Sequence, residues 1–256
     1  MSVKHAVLPA SSARPRVGRR AMLVLGCAVL AMSTAACEST EQESAQLAKD
    51  ATKHASTVKT LTLGASDRAV RVSGATLLQS SESAAVAVHL TSSHALAGLP
   101  IAITVKSAKG ALLYTNETAG LEASLQHMAL LPRGGGWWVD SQVLGVEGPG
   151  KVSVKVGSTG ARTVAGAVPD LAASRVRVGE LDGEHEISGV LANRSQIAQT
   201  KLPVYAVTLK GSTVTAAGSA IVQSLPAGAS KVAFQIFLVG NPAGAKVQIT
   251  VAPTAT

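Results

Sequence analysis

Residues 151–156 read Lys151-Val152-Ser153-Val154-Lys155-Val156. Apolar and polar side chains alternate without a break, the period of a strand with one buried face and one wet face. Near the end of the chain the pattern returns as Lys246-Val247-Gln248-Ile249. Three further pairs recur in the same order: Val70-Arg71-Val72 with Val176-Arg177-Val178, Leu99-Pro100-Ile101 with Leu202-Pro203-Val204, and Leu131-Pro132 with Leu225-Pro226. Four anchors in one order predict two copies of a single unit, at 61–158 and 171–256, joined by a linker over 159–170.

The rest of the first copy divides into short Val-, Ile-, Leu- and Thr-rich runs at 68–74, 84–90, 101–106, 112–115, 124–131 and 137–143. Turn residues separate them, among them Ala108-Lys109-Gly110, Gly134-Gly135-Gly136 and Gly148-Pro149-Gly150. No amphipathic helix of useful length intervenes. The expected fold class is therefore all-β, two tandem immunoglobulin-like β-sandwich domains rather than βαβ units. Pro100 and Pro203 would each open a strand, where a missing backbone N–H is tolerated, and Pro132 and Pro226 would start turns.

Composition agrees with a folded body of one or two domains. Of the 256 residues, 46% are hydrophobic, 15% charged and 2% aromatic. The hydrophobic share is too high, and the charged share too low, for a long disordered chain. The formal net charge of +8 is concentrated at one end, because Lys4, Arg14, Arg16, Arg19 and Arg20 precede Cys37 and no acid does. The remainder is close to neutral, which argues against a nucleic-acid partner.

The first 36 residues read as a signal peptide to be set aside from the fold. The basic run Arg14-Pro15-Arg16-Val17-Gly18-Arg19-Arg20 precedes an uncharged stretch from Ala21 to Ala36, shorter than the roughly 20 residues a membrane span needs. Ser33, Thr34, Ala35 and Ala36 then lead into Cys37. This pattern resembles a bacterial lipoprotein signal with its lipobox, with Thr34 where leucine is usual. The resemblance implies that Cys37 becomes a lipid-modified mature N-terminus, placing the protein on the extracytoplasmic face of the cell membrane. Cleavage with Cys37 left unmodified, giving a freely secreted protein, is the alternative. Arg19-Arg20 also loosely resembles a twin-arginine export signal. The only other cysteine, Cys27, lies inside the leader, so the mature chain would hold no intramolecular disulfide. Residues 37–60 are rich in Ser, Thr, Glu and Lys with few large apolar side chains, and read as a solvated polar tether.

The second copy resembles the FxLYD-type extracellular domains, immunoglobulin-like modules of bacterial secreted proteins. The resemblance is carried by 187–195, by Val204-Tyr205-Ala206-Val207-Thr208-Leu209, by Leu225-Pro226-Ala227-Gly228 and by Val232-Ala233-Phe234; the aromatic-aspartate step that names that family is absent. The first copy, with Asn116, Gly120, Leu121 and 137–143, looks like domains of secreted actinobacterial proteins. Neither resemblance brings catalytic residues.

Trp137 and Trp138 are the only tryptophans, and as neighbours on a strand they must face opposite sides. Aligning Trp137 with Val232 and Val139 with Phe234 sends Trp137 inward and leaves Trp138, Asp140 and Gln142 on the outer face. That trio is the candidate partner-binding site, where an exposed indole beside polar groups can stack on a sugar ring or anchor a protein. Packing of Trp138 against a loop or the second domain is the plainer alternative.

Asp182, Glu184, His185 and Glu186 form the densest ionisable cluster. They could ligate Ca²⁺ or a softer metal, but a solvated hairpin tip explains them equally well, and no metal or other cofactor is expected. Asn116-Glu117-Thr118 and Asn193-Arg194-Ser195 match glycosylation sequons. A hydrolase would need carboxylates such as Asp140 and Glu147 to converge in a cleft, with aromatic walls this chain barely supplies. The expected function is a non-catalytic cell-envelope interaction module for an envelope protein or a wall polymer.

Overall fold

The computed structural model describes residues 61–254 apart from 82, 144, 145 and 147. The leader, the tether and Cys37 lie outside the described residues. Eight strands arise in the first half: β1 (Val70–Gln79), β2 (Ala84–Ser92), β3 (Leu96–Ser107), β4 (Leu112–Thr115), β5 (His127–Leu131), β6 (Gly136–Val143), β7 (Gly150–Val156) and β8 (Arg162–Thr163). Seven follow: β9 (Leu171–Leu181), β10 (Glu184–Asn193), β11 (Gln199–Lys210), β12 (Thr213–Leu225), β13 (Ser230–Phe237), β14 (Val239–Gly240) and β15 (Lys246–Val251). The fold is all-β, built from several antiparallel sheets. The expected strand at 124–131 begins instead with a turn of 3-10 helix, Ala123–Leu125, and the expected linker contributes β8, which pairs with β3.

The pairing scheme occurs twice. β2 lies between β1 and β6, and β10 lies between β9 and β13. β3 pairs with β4, β5, β7 and β8, while β11 pairs with β12 and β15. The register repeats residue by residue: Ile101 stands opposite Val156 as Val204 stands opposite Val251. Leu96 faces Leu131 as Gln199 faces Leu225. Three of the four sequence anchors thus occupy matching places. The fourth does not: Val70 pairs with Ser92, and the residue that pairs with the matching Asn193 is Leu171, not Val176. The first strand of each half is bulged near its middle but not at matching residues: at Ser73 in β1, and at Arg175 and Val176 in β9, opposite Gly189, with φ of 54° at Arg175.

Burial explains how the sheets stack. In β2 the residues Val86, Val88 and Leu90 lie on one face and Ala85 and Ala87 on the other, and all five are buried. The first face packs with Leu99, Ile101, Ile103 and Val105 of β3. The same apolar cluster takes in Tyr205 and Val207 of β11 and Ala217 of β12. A second cluster joins Leu202, Val204 and Ala206 of β11 to Ile187 and Leu191 of β10 and Phe234 and Ile236 of β13. The order of layers is therefore the β3 sheet, the β1-β2-β6 sheet, the β11-β12 sheet and the β9-β10-β13 sheet. Both inner layers are covered on both faces, and the small alanines of β2 let the second half approach closely.

Where β12 runs unbroken along β11, the first half breaks the matching strand into β4 and β5 and inserts 116–126. Asn116, fully buried, holds this insert in place. Its Nδ2 donates to the Ile101 and Leu125 carbonyls at 2.8 and 2.6 Å, and its Oδ1 accepts from the Ile103 N–H at 2.7 Å. Asn193, also fully buried, donates from Nδ2 to the Ile197 and Pro226 carbonyls at 2.9 and 3.0 Å. Neither sequon amide is open to a glycan in the folded protein. Asn116→Ala should cost about 1–3 kcal/mol for each backbone group it leaves unpaired. Urea unfolding checks this, and an unchanged midpoint would contradict the geometry.

Candidate functional site

The trio Trp138, Asp140 and Gln142 shares a face of β6, as alternation requires, but that face points inward. Trp138 and Asp140 are both 0% exposed, and of the three only Gln142 reaches solvent. The expected outward platform is thus corrected. Trp138 stands opposite Val88 in the β2–β6 pair, and Phe234 stands opposite Gly189 in the β10–β13 pair. Val86 and Leu90 of β2 face the core as Ile187 and Leu191 of β10 do, which makes Trp138, not Val139, the counterpart of Phe234. The alignment of Trp137 with Val232 is one residue out of register, and a one-residue slip exchanges the two faces of a strand. Gly189 has a packing role here, since a Cβ would sit 2.7 Å from the Phe234 ring.

The polar atoms on this face are satisfied inside the protein. The Trp138 indole N–H donates to the Ser124 carbonyl at 2.9 Å. Asp140 accepts from the Tyr114 hydroxyl at 2.7 Å and from the Gln142 N–H at 2.9 Å. Burial pushes the Asp140 carboxyl above its ordinary range, opposed by those two hydrogen bonds. The Tyr114 hydroxyl is pushed up by burial and by the neighbouring carboxylate. Tyr205, reaching across from β11, donates to the same Ser124 carbonyl at 3.3 Å and is pushed up by its burial and by Asp140. This is a structural network, and among the described residues Asp140 is closed to solvent. Glu147, the partner considered for it, lies outside the described residues.

Trp137, on the opposite face of β6, is the residue that meets the second half. Its backbone N–H donates to Thr250 Oγ1 at 3.0 Å and its indole N–H to Gln248 Oε1 at 2.8 Å. The His89 ring lies beside it with centroids 4.7 Å apart, and burial pushes the His89 imidazole down, toward its neutral form. Ser141 and Ser219 add a hydroxyl contact of 2.8 Å across the same seam. The two indoles do lie on opposite faces of β6, but both are buried. Trp137 packs inward as expected, and Trp138 packs against the 116–126 insert, the plainer of its two expected fates.

Two openings flank the seam. The larger, about 880 Å³, lies between the Ser80–Ser83 turn and the Asp182-Gly183 turn, with Ser141, Ser219 and Phe237 on its walls. The smaller, about 200 Å³, is bounded by Glu122, Ser124, His127, Lys201 and Pro203. Asp182 and Gly183 have φ of 53° and 85°, and Leu181 pairs with Glu184 across them. This is the two-residue hairpin turn that an Asp-Gly step favours. From there Glu184 and Glu186 point to one face of β10 and His185 to the other, and Glu186 accepts a hydrogen bond from Gln235. Among the described residues no group of three or more His, Cys, Asp or Glu side chains is placed to hold a metal ion. Among them, too, no helix is long and apolar enough to cross a membrane.

No protein-family model matches the chain, and neither does any curated protein. The resemblances drawn from the leader and from the second half rest on the quoted motifs alone.

Proposed function

We propose that the chain is an exported lipoprotein, held by Cys37 on the extracytoplasmic face of a cell membrane and serving as a non-catalytic envelope interaction module. In this reading the body is two tandem immunoglobulin-like sandwiches, and its partner is an envelope protein or a wall polymer. The observation that carries the reading is the order of parts. A basic, apolar leader ends in small residues and a cysteine, a polar tether follows, and then comes an all-β body. The repeated strand register supports the tandem arrangement, and the larger opening beside the seam, with Ser80, Ser141, Ser219 and Asp182 in its lining, supplies a polar recess for a partner. Thr34, in the place where leucine is usual, favours the second reading, a freely secreted protein.

Metabolic labelling with an alkynyl fatty acid tests the anchor. The wild-type protein should be labelled and sediment with membranes, while Cys37→Ala should lose the label. A wild-type protein that takes up no label would overturn the lipoprotein reading. Crosslinking in the native envelope then sorts the partners. One stoichiometric protein supports the module, enrichment on glycan supports a wall ligand, and a cleaved polysaccharide product would overturn the non-catalytic reading.

A further inference from the structure

The same sheet face has opposite fates in the two halves. In the second half, the face of the β11–β15 pair that carries Tyr205 with Thr250 and Val207 with Gln248 is docked on the first half. The matching positions of the first half are Ala102 with Lys155 and Thr104 with Ser153, followed by Lys106 with Lys151. This face lies on the far side of β3 from the core residues Ile101, Ile103 and Val105 and forms the outside of the stack. Lys106, Lys151 and Lys155 are all exposed, as is Lys109 in the β3–β4 turn. Leu112, 60% exposed, stands opposite Lys106 on β4.

We propose that this lysine face rests on the anionic lipid headgroups of the membrane that carries the anchor; the proposal builds on the membrane-tethered reading above. Three observations point to that occupant. First, Lys106 and Lys151 are directly paired, and like charges placed opposite one another weaken a sheet. Second, neither β3, β4, β7 nor the turn at 107–111 contains an aspartate or glutamate, so no acid within these strands neutralises the face. Third, the chain enters the fold beside this sheet: Ser66 bridges to Gly157, and Asp67 N–H donates to the Val156 carbonyl at 3.1 Å. Leu61 is 24 residues from Cys37, a length that reaches up to about 80 Å when extended. The face can therefore touch the surface to which Cys37 is fixed. Leu112 adds an apolar tip at the same level, and a basic patch is the usual second contact that strengthens a lipid anchor.

Lysine acetylation footprinting on the full chain, purified from membranes, tests this. The chain is reconstituted in vesicles of phosphatidylcholine alone or mixed with phosphatidylglycerol. Lys106, Lys151 and Lys155 should react several-fold more slowly on the anionic vesicles, with Lys201, Lys231 and Lys246 unchanged. High salt should abolish the protection, because it screens the headgroup charge. Each lysine near an anionic surface contributes about a fivefold gain in partitioning, so replacing all three with glutamine should weaken binding of added anionic vesicles by about 100-fold. Equal reactivity on both vesicle types, or protection by a soluble anionic wall polymer but not by vesicles, would overturn the proposal. Flotation with neutral vesicles reports the anchor separately. Loss of flotation refutes the tethered reading, while normal flotation without lysine protection refutes only the face.

Discussion

Trp138→Ala should lower the free energy of unfolding by about 3–5 kcal/mol, the range for truncating a large aromatic side chain in a packed core. The indole is fully buried, and its removal also leaves the Ser124 carbonyl with only the longer bond from Tyr205. Gln142→Ala, two residues along the same face but in solvent, should change stability by less than about 0.5 kcal/mol. Equilibrium urea unfolding distinguishes these effects, with the slope checked so that a shifted midpoint can be read as a stability change. A Trp138→Ala protein within about 1 kcal/mol of wild type would mean that the side chain is not enclosed, and would restore the outward platform. Weakened ligand binding by this variant would not itself reveal a binding site, because the core around Tyr114 and Asp140 moves with it.

The strands were legible because most of them keep one pattern for their whole length. Val152, Val154 and Val156 alternate with Lys151, Ser153 and Lys155, and the strand found there differs from the expected one by a single added residue, Gly150. Alternation becomes uninformative where a layer is buried on both sides. The run Ala84-Ala85-Val86-Ala87-Val88 is apolar throughout because each face has a neighbouring sheet. Motif matching had a different weakness. Leu99-Pro100-Ile101 and Leu131-Pro132 carry a proline that fixes their register, and they aligned correctly. Val70-Arg71-Val72 matched Val176-Arg177-Val178 by composition alone, and the pairing partners Ser92 and Asn193 show the slip.

The candidate site was less legible for the same reason. Pro132 lies five residues before Trp137, but the stretch from Pro132 to Trp138 is two residues shorter than that from Pro226 to Phe234. The offset therefore changes there, and a single-residue error put Trp138 on the wrong face. The Asp182-Gly183 turn was readable because the Asp-Gly step itself prescribes left-handed backbone. Asn116 and Asn193 gave a local signal, the sequon, that pointed away from their use as buried clamps. Their partners Ile101 and Pro226 are distant in sequence. The lysine face could not be seen before pairing was known, since Lys106 and Lys151 lie on strands far apart in the chain.

Mild acidification should raise the stability of the protein relative to that of its Asp140→Asn variant. Its folded carboxyl is shifted upward by burial, so the native state holds a proton at pH values where the unfolded chain has released it. The stabilisation linked to that proton is complete below the unfolded value of about 3.9 and is lost as pH rises through the folded value. Asp140→Asn titrates nothing at this position. Relative to wild type it should therefore be most favoured at pH 7 and lose that advantage toward pH 4. Tyr114→Phe acts in the opposite sense. It removes a hydrogen bond that favours the charged carboxylate, so it should cost about 1.5–3 kcal/mol while the carboxyl is charged and less as falling pH protonates it. Urea midpoints of the three proteins between pH 4 and 7 provide the test. If the wild-type and Asp140→Asn curves run parallel across that range, the Asp140 carboxyl does not exchange its proton within it.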